Sequence, residues 1–344
     1  MSVPLLFFML MLSCEKKYQP RTLENVELQY YTIDSTSIRA IEIIDDSTVW
    51  YAGSEGAYGY ISGGKITQYR IKTLPDSSGH RAPHFRSIAF NGKAVFALTI
   101  ENPAVLYKLN GSRPETVYRE DHPKVFYDAM TFFDTQNGIA FGDPTGDCPS
   151  VIITRDGGNS WHKLNCSGLP GIEEGEAAFA ASNTNIAVVG ENAWLVTGGK
   201  KARVFHTPDK GKSWEVYDTP VIQGKPTTGI YSVAFYDKNN GIVFGGDYTD
   251  KKGEKANKAV TTNGGKTWKL VAEGEEPGYI SCVQYVPGTG GMELFAVSTE
   301  GIYFSNDRGH HWKKVSGEGF YSIRILNPHT AWLSSQAKMA RMTF

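Results

Sequence analysis

The apolar positions of this chain fall into short strand-like runs, with no long stretch of helical period. Seven segments share one form, a small residue followed by a bulkier apolar one: residues 38–41, 85–88, 127–130, 176–179, 230–233, 279–282 and 320–323. Their apolar positions (41, 88, 130, 179, 233, 282 and 323) are 47, 42, 49, 54, 49 and 41 residues apart. A second apolar run follows each, at residues 49–52, 95–98, 139–141, 186–189, 242–244, 294–297 and 331–333. Recurrence at such a period predicts an array of similar sheets. The small-then-bulky form suits inner strands that crowd toward a narrow axis.

Four copies of one turn motif, Ser/Thr-x-Asp/Asn-x-Gly-x-x-Trp, punctuate the second half of the chain. They run from Thr154 to Trp161, Thr207 to Trp214, Thr261 to Trp268 and Ser305 to Trp312. Their acidic or amide positions, Asp156, Asp209, Asn263 and Asp307, are 53, 54 and 44 residues apart. Asp or Asn folds back onto nearby backbone N–H groups, and Gly supplies the positive φ that the bend needs. The Trp then anchors the returning strand, so each motif predicts the tip of a β-hairpin.

These motifs resemble Asp-box (BNR) repeats, found on the hairpin between the last two strands of a blade in β-propellers of the sialidase and xyloglucanase type. They occur also in photosystem II stability/assembly-factor-like proteins. The resemblance covers residues 154–312 and implies a structural role on the rim for Asp156, Asp209, Asn263 and Asp307, away from the ligand face. With seven inner strands, the expected fold is all-β, a single seven-bladed β-propeller of four-stranded antiparallel blades over residues 26–344. The last unit lacks one strand, while residues 26–32 have no blade of their own. Placing residues 26–32 beside residues 338–344 closes the ring by joining the N-terminal strand to the C-terminal blade, and hides the edges of an open stack.

Composition agrees, with 37 Gly, 18 Tyr, 17 Phe and 7 Trp among 344 residues. A net charge of −1 argues against a nucleic-acid partner. Residues 3–12 form an apolar run too short to cross a bilayer and typical of a signal-peptide core. The following Met11-Leu12-Ser13-Cys14 resembles a bacterial lipobox. It implies a signal peptide over residues 1–13, lipidation at Cys14 and a polar tether over residues 14–25. The expected place is the bacterial cell envelope, periplasmic or at the surface, with the lipid as the sole membrane contact. The competing reading is a plain secretion signal. Cys148 and Cys166 are equidistant from position 157, so a regular hairpin pairs 148 with 166, 150 with 164 and 152 with 162. They form either a disulfide or two reduced thiols. Cys282 sits in an apolar run and reads as buried.

Function has to come from the site, since one fold serves many activities. The axial mouth, where inner strands begin, would gather Arg39, Arg86, Tyr127, Asp128, Glu176, Tyr231, Tyr279 and Tyr321. His80, Arg81, His84, Glu173, Glu174 and Asp247 sit in the loops beside them. Arg grips a carboxylate with two parallel hydrogen bonds and Tyr offers a face and a hydroxyl, so this lining suits a glycan or a protein partner. A sialidase-like reading needs three Arg, for which Arg39, Arg86 and Arg324 are the candidates, and a Tyr nucleophile with a Glu partner, Tyr231 with Glu176. A xyloglucanase-like reading needs two facing carboxylates, Asp128 with Glu176. Arg81-Ala82-Pro83 departs from the sialidase Arg-Ile-Pro motif, so the catalytic pattern is incomplete. Asp143, Asp147, Asp247 and Asp250 occupy matching loops and read as turn caps rather than a Ca²⁺ loop. No dinucleotide, C-x-x-C or haem motif occurs, so no cofactor and no metal is expected. The expectation is a monomeric, non-catalytic, envelope-anchored propeller that binds a glycan or an envelope protein at its mouth, with a glycoside hydrolase of the sialidase type as the alternative.

Overall fold

A computed structural model describes residues 18–74 and 81–344. The signal peptide, Cys14 and His80 therefore lie outside the described residues. Among those residues, regular structure is antiparallel β apart from one 3-10 turn at Cys166–Gly168, and no helix is long and apolar enough to cross a membrane.

Among the described residues the strands form six antiparallel sheets, four of four strands, one of six and one of seven, a propeller-like arrangement built on four-stranded units. Their middle strands are covered on both faces by neighbouring units. Val95–Thr99, Gly138–Gly142, Leu294–Ser298 and Thr330–Ser334 are accordingly buried throughout and read as continuous apolar runs. Outer strands such as Lys65–Arg70 face solvent and are polar. The core consists of wedges between successive units. Ala40, Ala52 and Tyr58 of the first pack on Ile88, Ala97 and Val105 of the second. Trp332 and Met339 of the last pack on Ile41 and Tyr51 of the first. Each fully buried large side chain contributes about 1.5–3 kcal/mol.

The strand Glu27–Ile43 belongs to two units. Its first half pairs with Gln336–Thr343, from Glu27 opposite Thr343 to Thr32 opposite Lys338. Its second half pairs with Thr48–Gly53, Ile41 standing opposite Tyr51. The bend between them passes through Ser35, whose φ is 48°. Residues 18–26, ahead of this strand, run against the units that contain Leu294–Ser298 and Thr330–Ser334. Arg21 forms two hydrogen bonds through Nε (3.2 and 3.1 Å) and one through Nη2 (2.5 Å) to the buried Glu293 carboxylate. Leu23 and Val26 pack on the same core wedge.

Six of the seven expected inner strands lie where the pattern puts them, although two begin later, at Cys282 and Ser322. The fourth is displaced. Residues 186–189, expected as a second strand, form the innermost strand Ile186–Val189 and pair with Asn192–Val196. Residues 176–179 contribute only the two-residue strand Glu176–Ala177, which pairs with Gly198–Gly199. The chain between them, residues 178–185, runs across the axis as a plug. It bonds to the inner region of every other unit. Arg39 donates to Ala181 O (3.2 Å), Arg86 to Ala180 O (2.8 Å), Met130 N–H to Asn183 Oδ1 (2.8 Å) and Val233 N–H to Thr184 O (2.7 Å). Ser182 donates to Ser281 O (2.6 Å), and Arg324 donates to Ser182 O and Asn183 O (3.3 and 3.2 Å). These partners satisfy the plug carbonyls from Ala180 to Thr184, part of what an irregular backbone at the centre requires.

The four turns share one hydrogen-bond pattern. In the first, Thr154 Oγ1 donates to Asp156 Oδ1 (2.8 Å) and accepts the Gly158 N–H (3.0 Å), while Ser160 donates twice to Asp156 (3.0 and 2.6 Å). The corresponding glycines Gly158, Gly211, Gly265 and Gly309 have φ of +86°, +88°, +86° and +85°. Cys148 and Cys166 form a disulfide with Cα atoms 5.4 Å apart. The register of that hairpin is not the expected one, since Ile152 pairs with Lys163 and Ile153 with His162. The longer turn loop shifts the ladder by one residue. Cys166 reaches Cys148 because the strand has already ended and turned into the 3-10 segment.

Candidate functional site

One end of the axis opens into a cavity of about 680 Å³ floored by the Ala-rich start of the plug. Arg39, Arg86, Asp128, Tyr231, Tyr279 and Tyr321 line it, as the inner-strand pattern expects. The Arg39 guanidinium lies 4.1 Å from the Tyr321 ring centroid, and its Nε is buried without a partner among the described residues. Burial first, and then Arg39 beside it, lowers the Arg86 pKa to about 10, which still leaves it charged at neutral pH. Neither guanidinium has an ion-pair partner among the described residues; each spends a hydrogen bond on a plug carbonyl instead. Phe179 of the plug stacks on Tyr231 at 4.1 Å, and Tyr248 and Tyr279 meet Tyr231 edge-on. Burial holds the Tyr231 hydroxyl well above its ordinary pKa, and it donates to Thr227 O at 2.8 Å.

Two expected members are elsewhere. Tyr127 is fully buried between the second and third units, where its hydroxyl and that of Tyr118 both donate to Glu120 (2.7 and 2.8 Å). Tyr127 and Asp128 are consecutive in one strand, so only Asp128 faces the axis. Glu176 lies behind the plug in a buried ion pair with Arg203, at 2.5 Å between Nη2 and Oε2, and also accepts hydrogen bonds from Thr197 Oγ1 and the Glu173 N–H (2.5 and 2.9 Å). The Tyr231–Glu176 and Asp128–Glu176 pairs therefore do not form.

The three-arginine grip does not form either. Arg324 lines a separate chamber of about 300 Å³ on the far side of the plug, with Glu42. Burial raises the Glu42 carboxyl to about 7 despite the Arg324 charge. Among the loop residues, Arg81 pairs with Glu101, His84 stands 3.5 Å from Glu55, and Glu173 and Glu174 are outside the cavity lining. Asp247 caps its own turn through Thr249 (2.9 and 2.6 Å). Asp143 does not cap its turn; it accepts the Ala178 N–H of the plug (2.8 Å) and lines the cavity.

Pattern reasoning missed Phe179, Ala180, Ala181, Tyr248, Lys251 and Asp143 as cavity residues. The signal for the first three was present. The run E-A-A-F-A-A-S-N has small side chains at nearly every position, where a strand facing a core would alternate.

Fold and site together define a β-propeller-like protein with a plugged axis and an arginine- and tyrosine-lined mouth. No protein-family model matches the chain. It is 27% identical over 128 residues to the photosystem II stability/assembly factor HCF136 of rice (Oryza sativa subsp. japonica), which covers 37% of this chain and 26% of that protein. Among solved structures it is similar to YCF48 bound to D1 peptide, with a TM-score of 0.65 at 14% identity over 94% of this chain and all of the other. It is nearly as similar to the WD40 repeats of RRP9, with a TM-score of 0.64 at 11% identity over 94% of this chain and 99% of that one. Likeness at these identities is a likeness of fold.

Proposed function

We propose that this chain is a non-catalytic seven-bladed propeller that binds a protein partner at its axial mouth. The observation that carries the reading is the pair Arg39 and Arg86, two guanidiniums in one cavity with no carboxylate among the described residues paired to either. Enclosed charges are normally paired, so an acidic group of a partner is the missing complement. The tyrosine walls supply the apolar, rigid area that protein recognition favours. The peptide in the YCF48 structure agrees with this use of the fold. A hydrolase reading has less support, because Glu176 is committed to Arg203 and cannot serve Tyr231.

Closure with seven blades is supported by the order of the inner strands, each lying against the next until Ser322–Asn327 meets Glu27–Ile43. Envelope anchoring through Cys14 is part of the same reading. Glu293, which fixes Arg21, stands at the opposite end of the strand Leu294–Ser298 from Thr299, a residue of the mouth. An anchor ahead of residue 18 would thus leave from the face away from the mouth and keep the mouth open to a partner.

The test is in-cell cross-linking from the mouth, with candidate partners identified by mass and then bound as purified proteins. Arg39→Ala and Arg86→Ala should each weaken that binding at least tenfold, while Asp209→Ala on the rim leaves it intact. Equal affinity of the arginine variants and the parent protein would overturn the reading, as would turnover of sialosides or β-glucans by the purified protein. Cys14→Ser should release the protein into the soluble fraction, and its retention at the membrane would refute lipidation.

A further inference from the structure

The floor of the mouth holds two carboxyl groups that the arginine reading leaves unused. Asp128, on the strand Tyr127–Phe132, is 0% exposed, and among the described residues neither of its oxygens meets a donor in full hydrogen-bond geometry, although the Asp143 N–H lies near enough to favour its charged form. Asp143 follows the adjacent strand Gly138–Gly142 and holds the plug through the Ala178 N–H at 2.8 Å. Both line the cavity that Arg39 and Arg86 line, and neither is ion-paired among the described residues. The other charged or titratable groups facing this space are Lys251, Tyr231, Tyr248, Tyr279 and Tyr321.

Two neighbouring acids in one enclosure cannot both ionise cheaply. Burial, then the Asp143 charge, push Asp128 well above the usual carboxylate range against the pull of Arg86. Burial raises Asp143 to about 6, opposed by the Ala178 N–H. Burial and the neighbouring charge thus favour the neutral form of Asp128, while Asp143, near 6, is mostly an anion at neutral pH.

We propose that capture of a carboxylate at Arg39 and Arg86 is coupled to uptake of one proton by the Asp128–Asp143 pair. The inference rests on the mouth being the binding site. An anion arriving in the cavity that Asp143 lines is a like charge within the same enclosure and favours the protonated form of Asp143; the proton comes from solvent and no covalent bond changes. The sign follows. Affinity is constant at high pH, rises as pH falls through the raised pKa of the complex toward about 6, and levels off below that. Each unit by which the ligand raises the pKa is a tenfold gain in affinity.

The probe is benzoate, with benzamide as its uncharged isostere, measured by calorimetry in two buffers of different ionisation enthalpy and by carboxyl NMR of Asp143. Benzoate should bind about tenfold more tightly at pH 5 than at pH 8, with proton uptake, and should raise the Asp143 pKa; benzamide should show neither effect. Asp143→Asn should abolish the pH dependence. Benzoate binding that is flat between pH 5 and pH 8, or unchanged in slope by Asp143→Asn, would overturn the coupling while leaving the mouth reading to the arginine variants. Absence of benzoate binding at any pH would overturn it as well. The wild-type measurement decides the matter if Asp143→Asn fails to fold.

Discussion

Asn183 is the residue on which the plug turns, and its substitution gives the sharpest test of the architecture. The residue is 5% exposed and its backbone φ is 60°, a left-handed conformation that Asn adopts more readily than Ala. Its amide donates to Ile88 O at 2.8 Å and accepts the Met130 N–H at 2.8 Å, joining the inner strands of two units. Asn183→Ala leaves that carbonyl and that N–H buried without partners, about 1–3 kcal/mol each. Alanine at this φ adds about 1–2 kcal/mol. The expected loss is thus about 3–8 kcal/mol, a large share of the roughly 5–15 kcal/mol available to a typical domain. Asn183→Gly loses the same two hydrogen bonds without the backbone strain, so it should be milder by about 1–2 kcal/mol. Urea unfolding at fixed pH measures both, and hydrogen exchange at the Met130 amide reports the local opening directly. An Asn183→Ala protein within about 1 kcal/mol of the parent would refute the claim that the plug is fastened at this point.

The disulfide closes 18 residues of sequence, so chain-entropy reasoning assigns it about 3 kcal/mol, and Cys148→Ser with Cys166→Ser should lower the unfolding midpoint accordingly. An unchanged midpoint between oxidised and reduced protein would refute a structural role for it. Glu176→Ala strands a guanidinium whose side chain is only 10% exposed, and should cost about 3–5 kcal/mol of stability. A variant of parental stability would show that Glu176 is free for chemistry after all.

Much of the fold was legible because each unit states itself locally. The four turns announce their geometry in the sequence, since only a hydroxyl, an Asx side chain and a glycine at those spacings can close the loop seen at Thr154, Asp156 and Gly158. The N-terminal pairing was legible by deficit, one strand lacking a sheet and one sheet lacking a strand. Three things were not. Residues 176–179 imitate an inner strand because small residues satisfy equally a crowded strand and a segment threading the axis. The hairpin register hung on one residue of loop length, which symmetry about position 157 could not fix. Tyr127, Asp128 and Glu176 all stand near the starts of expected inner strands. Which of them faces the axis depends on strand parity and on a neighbour such as Arg203, 27 residues further along the chain.

The plug changes what the mouth is. In a propeller with an open axis, arginines on the inner strands would project into water and order themselves only when a ligand arrived. Here the main-chain carbonyls of Ala180 and Ala181 hold Arg86 and Arg39 side by side before anything binds, and Tyr321 covers the face of one of them. Ordering a long side chain at an interface costs about 0.5–1.5 kcal/mol, so two held in advance spare about 1–3 kcal/mol at the moment of binding. That gain is roughly a factor of 5 to 150 in affinity. In the proposed function that gain depends on the plug, whose Ala178, Phe179, Ala180 and Ala181 line the cavity. The methyls of Ala178, Ala180 and Ala181 leave the cavity its depth, and any larger side chain there would fill the space that the arginines are positioned to serve.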